Sequence, residues 1–320
     1  MHKSLRPLLA SLLIVLLSAC ARSPVLTPEA QRLPERVELS SVPFYPQKAY
    51  QCGPAALATM LNQRGVLTTP GFLQDQVYIP GREGSLQVEM VAAARSHDLL
   101  VYPLKPRLDD LLTEVAAGNP VLVLQNLGLD WYPQWHFAVL IGYDRREEKL
   151  ILRSGTTRRW VTDFAAFDKT WARGSRWAVV TLHADTLPAT AEPGVWLKAA
   201  NDLEEVGRKD IAQRAYRTAT ERWPEQAVGW FALANSRYAG GDLQGAETAL
   251  RESVKRQPDF AAGWFNLSQV LDERGCKADA GAARQCAQRL APDDQRFKAL
   301  GKQGATAGRC AALAACPAQP

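Results

Sequence analysis

"YQCGPAALATML", residues 50–61, sets a cysteine directly before a Gly-Pro pair and then a run of mostly apolar residues. Gly53 and Pro54 do not belong in mid-helix, but proline fits a first turn, where its missing N–H would have had no partner anyway. The stretch therefore predicts a helix that begins at Cys52 and whose apolar side includes Leu57, Met60 and Leu61. A thiol in that position faces unsatisfied N–H groups and the positive end of the helix dipole, both of which favour a thiolate.

The cysteine count sharpens the question of why Cys52 stands there. Of six cysteines, Cys276, Cys286, Cys310 and Cys316 fall in the last fifth of the chain. An even number in an oxidising compartment predicts two disulfides fastening the final helices to the tail, with three connectivities open. None of them shows the spacing to histidine of a metal site. Export is expected from the first twenty residues, where Lys3 and Arg6 precede an apolar run from Leu8 to Leu17. That segment ends in "LSAC", which resembles the lipobox of bacterial lipoprotein precursors and implies cleavage before Cys20 and lipid on its thiol. The alternative is an ordinary cleaved signal with Cys20 incidental. Ala21 resembles the residue that sends lipoproteins to the outer membrane. Cys52 is then left without a partner, either buried and inert or kept for its chemistry.

A reactive thiol needs a base. Among four histidines, His2 leaves with the signal segment, His97 ends a predicted helix beside Asp98, and His183 sits at a domain edge. His136 instead opens the strand "HFAVLIGYD" after the aromatic loop "LDWYPQWH". Trp131, Tyr132 and Trp135 of that loop either pack locally or wall a substrate groove.

About 300 mature residues favour two domains. From Val37 to His183 the sequence predicts α+β structure. Helices are expected over 55–64, 86–97 and 107–117, and strands over "LLVYPL", "PVLVLQN", "HFAVLIGYD", "KLILRS" and "RWAVVTLH", forming an antiparallel sheet. "SGTTRRW" (154–160) reads as a basic surface hairpin. "ADTLPATAEP" (184–193) has the composition of a linker. Beyond it strand signals vanish. Trp196, Trp230 and Trp264 recur every 34 residues, as do Gly207, Gly241 and Gly275, and Pro224, Pro258 and Pro292. With small residues after each Trp and a mid-repeat alanine, this is the tetratricopeptide pattern of stacked helical hairpins. The net charge of +5 is dispersed and no basic, aromatic-interleaved tract argues for nucleic acid. No cofactor or nucleotide motif is present.

A cysteine opening a helix and, about eighty residues on, a histidine entering a strand follow the chain order of papain-like peptidases. "VPFYPQKAYQCGPAALATML" together with "HFAVLIGYD" resembles the peptidase domain of the bacteriocin-processing, double-glycine leader peptidases and their stand-alone relatives. The resemblance implies Cys52 as nucleophile, His136 as general base and Gln47 as oxyanion-hole donor. The sequence departs from that pattern twice. Gln47 stands one residue closer to the cysteine than is usual, with Gln51 adjacent as a competitor. The third triad member is usually an Asp, whereas Arg153, Ser154 and Gly155 occupy that region. Ser154 is the candidate orienter, because Asp144 lies about 26 Å along the strand at ~3.3 Å per residue.

The expected organisation is a lipoprotein signal peptide (1–19), a lipidated tether (20–36), a papain-like cysteine peptidase domain (37–183), a linker (184–194), three tetratricopeptide repeats (195–293) and a disulfide-rich tail (294–320). The expected activity is hydrolysis of peptide or isopeptide bonds at the periplasmic face of the envelope, on a peptide or protein substrate, with the lipid holding the membrane and the repeats holding a protein partner. Acyl transfer or deamidation would use the same residues. The alternative of another class is an inactive peptidase-like scaffold that grips peptides.

Overall fold

Trp135–Asp144 is the strand around which the N-terminal unit is built: every residue from Phe137 to Asp144 is buried, as in a strand covered on both faces. The computed structural model describes residues 23–47, 51–297 and 310–318. The expected signal segment, Cys20 and residues 298–309 of the tail lie outside them. The chain divides into two compact units, one of residues 1–94, 103–181 and 188–190, the other of residues 95–102, 182–187 and 191–320.

Described strands in chain order are β1 (Arg36–Glu38), β2 (Leu100–Pro103), β3 (Val121–Asn126), β4 (Trp135–Asp144), β5 (Lys149–Ser154), β6 (Thr157–Asp163) and β7 (Ala178–Leu182). In the first unit they run β7-β3-β4-β5-β6, with β1 also on β4. Each of these pairings is antiparallel. The helices are α1 (Cys52–Gln63), α2 (Pro70–Val77), α3 (Gln87–Ser96), α4 (Leu108–Ala116) and α5 (Phe164–Arg173). α1 and α4 pack on β4, and α5 on β3. In α1 every residue from Gly53 to Leu61 is buried, which suits a helix that is apolar nearly all round.

α2 and α5 are not among the helices expected from the sequence. The signals for α2 are nonetheless present: Thr69 caps it by accepting the Phe72 N–H, and Pro70 takes the first helical position. β6 has an exposed, basic face and therefore reads as a surface hairpin, which it forms with β5.

The second unit contains three helical hairpins: α6 (Pro193–Glu205) with α7 (Lys209–Arg222), α8 (Ala227–Ala239) with α9 (Leu243–Arg256), and α10 (Ala261–Glu273) with α11 (Lys277–Leu290). Gly207, Gly241 and Gly275 adopt φ of 82°, 82° and 83° after the first helix of each hairpin, a left-handed turn that explains their period. The tryptophan and proline periods share one cause. The indole N–H of Trp230 donates to the carbonyl of Pro224 at 2.8 Å, and that of Trp264 to Pro258 at 2.7 Å, so each proline that ends one repeat anchors the next. Trp196 has no preceding repeat and donates to Ala215 instead, at 2.8 Å. Cys276 pairs with Cys310 and Cys286 with Cys316. Arg251 donates to the carbonyls of Ala311 and Ala312, both at 2.9 Å, so the tail lies across the last two hairpins. Phe297 is buried there with its ring 4.9 Å from that of Phe265.

Candidate active site

Cys52 is the first residue of α1 and is half-buried with a free thiol. Burial pushes that thiol up from its ordinary value, against the opposing pull of hydrogen bonds from the N–H groups of Phe137, Gly53 and Cys52 itself. The donor from Phe137 brings the start of β4 against the start of α1, and the residue before it is His136.

β4 and β5 are antiparallel and joined by a tight turn, so the end of β5 returns to the beginning of β4. Ser154 Oγ thereby reaches 2.8 Å from His136 Nε2, and Nδ1 is the remaining ring nitrogen. Burial holds the imidazole pKa below its ordinary value. Burial thus opposes the charged form of both groups. This departs from the thiolate expected of a helix N-terminus: around Cys52 the desolvation penalty on a charged sulfur outweighs the backbone donors.

Gln47, Cys52 and His136 line one cleft of about 780 Å³. Gln47 is fixed by its N–H, which donates to Gly155 at 3.1 Å. Its side-chain amide has only a long contact, 3.5 Å, to the Phe137 carbonyl. The Gln51 amide donates to Gln74 on α2 at 2.9 Å, and Gln51 does not line the cleft. Asp144 is tied to Arg36 at 2.6 Å at the far end of β4. One wall of the cleft is the segment from Arg82 to Leu86, and the other runs from Tyr132 to Phe137. Asn126 Oδ1 fixes the aromatic loop by accepting the N–H groups of Gly128 (2.9 Å) and Gln134 (2.8 Å). Trp131, Tyr132 and Trp135 remain exposed.

Two site-shaping residues carry no motif. The buried Arg153 guanidinium donates to the carbonyls of Val42 (2.8 Å), Ser40 (3.1 Å) and Arg158 (2.6 Å), which pins the segment leading to Gln47. Ser85 packs on Gly53 so closely that a methyl group there would come within 2.2 Å of its hydroxyl oxygen. Gly53 is therefore demanded by packing as much as by the helix start.

Residues 39–179 match the Peptidase C39 like family. That match spans the first domain, a little under half of the chain. Residues 197–252 and 231–295 match tetratricopeptide repeats. Among solved structures, the chain is similar to a C39-like peptidase from Bacillus anthracis, with 20% identity and a TM-score of 0.40 over 46% of this chain and 98% of that one. It is similar to the peptidase domain of Streptococcus ComA, a bifunctional ABC transporter, with 16% identity and a TM-score of 0.37 over 44% and 98%. The first tetratricopeptide domain of Spaghetti, bound to an HSP90 peptide, shares 14% identity with a TM-score of 0.32 over 33% and 83%. No curated protein matches the chain. In the C39-like domain Cys52 opens the central helix, and the repeats follow as a helical unit of their own.

Proposed function

We infer that the C39-like domain is an active cysteine peptidase using Cys52 and His136. The observation that carries this is their meeting in one cleft with Ser154 2.8 Å from the imidazole. Because burial opposes charge on both groups, the proton moves during attack. The Cys52 sulfur bonds to the substrate carbonyl carbon as His136 Nδ1 takes the thiol proton, and the carbonyl electrons become an oxyanion. The Cys52 N–H and the Gln47 amide, which has only its 3.5 Å contact to give up, are the donors for that oxyanion. Such a donor is typically worth ~2.7–4 kcal/mol in the transition state. Collapse expels the amine, which receives the proton from His136, and leaves a thioester. Water then attacks with His136 as base and regenerates the thiol.

In the same reading Cys20 carries the lipid that holds the protein at the envelope, facing the periplasm, and the repeats hold a protein substrate or partner. The second reading, a scaffold that grips peptides without cutting them, is favoured by the neutral Ser154 where a carboxylate is usual in such triads and by the raised thiol pKa. The two are separated by incubating wild type and Cys52→Ala with a complex proteome-derived peptide mixture and reading new termini by mass spectrometry. New termini with wild type alone are the expected result. Identical peptide sets would overturn hydrolysis and leave the scaffold.

A further inference from the structure

Ser85 stands between a closed loop and α3: the Ile79 N–H donates to the Gly84 carbonyl at 2.8 Å, which fixes the backbone on its N-terminal side. Its hydroxyl oxygen is closed to solvent, and among the described residues it has no hydrogen-bond partner. It sits against Gly53, directly after Cys52. A buried hydroxyl without a partner costs about 1–3 kcal/mol, and such groups persist where a ligand or water satisfies them. Ser85 is also a lining residue of the cleft that holds Cys52 and His136, and is itself half-exposed there. Rotation about χ1 between staggered wells moves the hydroxyl off Gly53, and the residue already borders the cleft.

We propose that Ser85 hydrogen-bonds the main chain of a peptide bound in the cleft, which positions the scissile carbonyl over Cys52. The proposal rests on the peptidase reading and adds a substrate contact to it. The chemistry recognised is the peptide backbone, which offers a donor or an acceptor at every residue. A hydroxyl can meet either.

The test compares two thiol reagents on the full chain and on Ser85→Ala. N-acetyl-Ala-Ala chloromethyl ketone carries a peptide backbone: the Cys52 sulfur displaces chloride, a C–S bond forms as C–Cl breaks, and the thiol proton passes to His136. Methyl methanethiosulfonate transfers its methylthio group to the same sulfur, a disulfide forming as its own S–S bond breaks and methanesulfinate leaves, with no backbone to position. The expected result is that Ser85→Ala slows the peptidyl reagent about tenfold, equivalent to about 1.4 kcal/mol, leaves the small reagent within about twofold, and leaves the melting temperature unchanged or raised, because an unsatisfied polar group has been removed. A matching loss with both reagents, accompanied by a lower melting temperature, would make Ser85 a packing residue for Gly53 and overturn the proposal. Unchanged rates with both, while wild type still reacts faster with the peptidyl reagent than with chloroacetone, which has the same leaving group and no backbone, would overturn it and leave the peptidase reading intact. If wild-type Cys52 reacts no faster with the peptidyl reagent than with chloroacetone, both fall.

Discussion

Ser154 Oγ lies 2.8 Å from His136 Nε2, so the imidazole at the C39-like site is oriented by a neutral hydroxyl. A hydroxyl fixes the ring without adding the negative charge that would raise its basicity. A neutral hydrogen bond contributes about 0.5–1.5 kcal/mol, so Ser154→Ala is expected to slow His136-dependent alkylation of Cys52 by about two- to tenfold without unfolding the domain. Ser154→Asp places a carboxylate beside the imidazole and moves the acid limb of the pH–rate profile upward. An unmoved acid limb in Ser154→Asp would show that residue 154 does not touch the titrating ring.

Gly53→Ala drives a methyl group to 2.2 Å from Ser85 Oγ and 2.5 Å from Ser85 Cβ. Overpacking of this kind costs about 1–3 kcal/mol. Chemical denaturation is expected to show that loss for Gly53→Ala, and Gly53→Ala with Ser85→Gly is expected to recover most of it. Additive losses in the double variant would place the clash elsewhere.

The Cys276–Cys310 and Cys286–Cys316 bonds close segments of 34 and 30 residues. Constraint of the unfolded chain by a loop of that size is worth about 3–4 kcal/mol. Reduction, or Cys276→Ala with Cys310→Ala, is expected to lower the melting temperature of the repeat unit while that of the C39-like domain stays in place. A repeat transition indifferent to reductant would remove the staple from the account.

Lipidation at Cys20 is tested by detergent phase partitioning of protein expressed in a bacterial host that lipidates exported proteins. The full-length chain is expected in the detergent phase and Cys20→Ser in the aqueous phase. Equal partitioning of both would contradict the anchor.

The sequence announces features that follow from backbone constraint. Gly53 and Pro54 mark the start of α1 because neither fits a helix interior, and Gly207, Gly241 and Gly275 mark hairpin turns because each takes a positive φ. His136 stands out as the one histidine opening an apolar strand. That Gln47 lines the cleft and Gln51 does not is beyond local pattern, because the Gln51 amide donates to Gln74, 23 residues away in sequence. The upward push on the Cys52 thiol is illegible for a similar reason: the dipole of α1 is local and readable, whereas burial of the thiol is a property of the folded packing. Ser85 and Arg153 carry no pattern because each acts through a long-range contact, one on Gly53 and the other on the carbonyls of Ser40 and Val42. The sheet order, with β7 beside β3, is likewise set by packing, and β6 shows in the sequence only as a surface hairpin because its exposed residues lack the alternation of a half-buried strand.

The central claim, that His136 serves Cys52 as a base, is tested by the rate of iodoacetamide alkylation of Cys52 against pH in wild type and His136→Ala. Because the imidazole pKa is held below its ordinary value, the base form is already present above about pH 6.5; because the thiol is pushed up, the free thiolate is scarce until well above neutrality. Between these limits wild type is expected to react about a hundredfold faster than His136→Ala, with a shallow dependence on pH. His136→Ala should climb about tenfold per pH unit and meet wild type once the thiol ionises unaided. Superimposable profiles for the two proteins across the whole range would contradict the account.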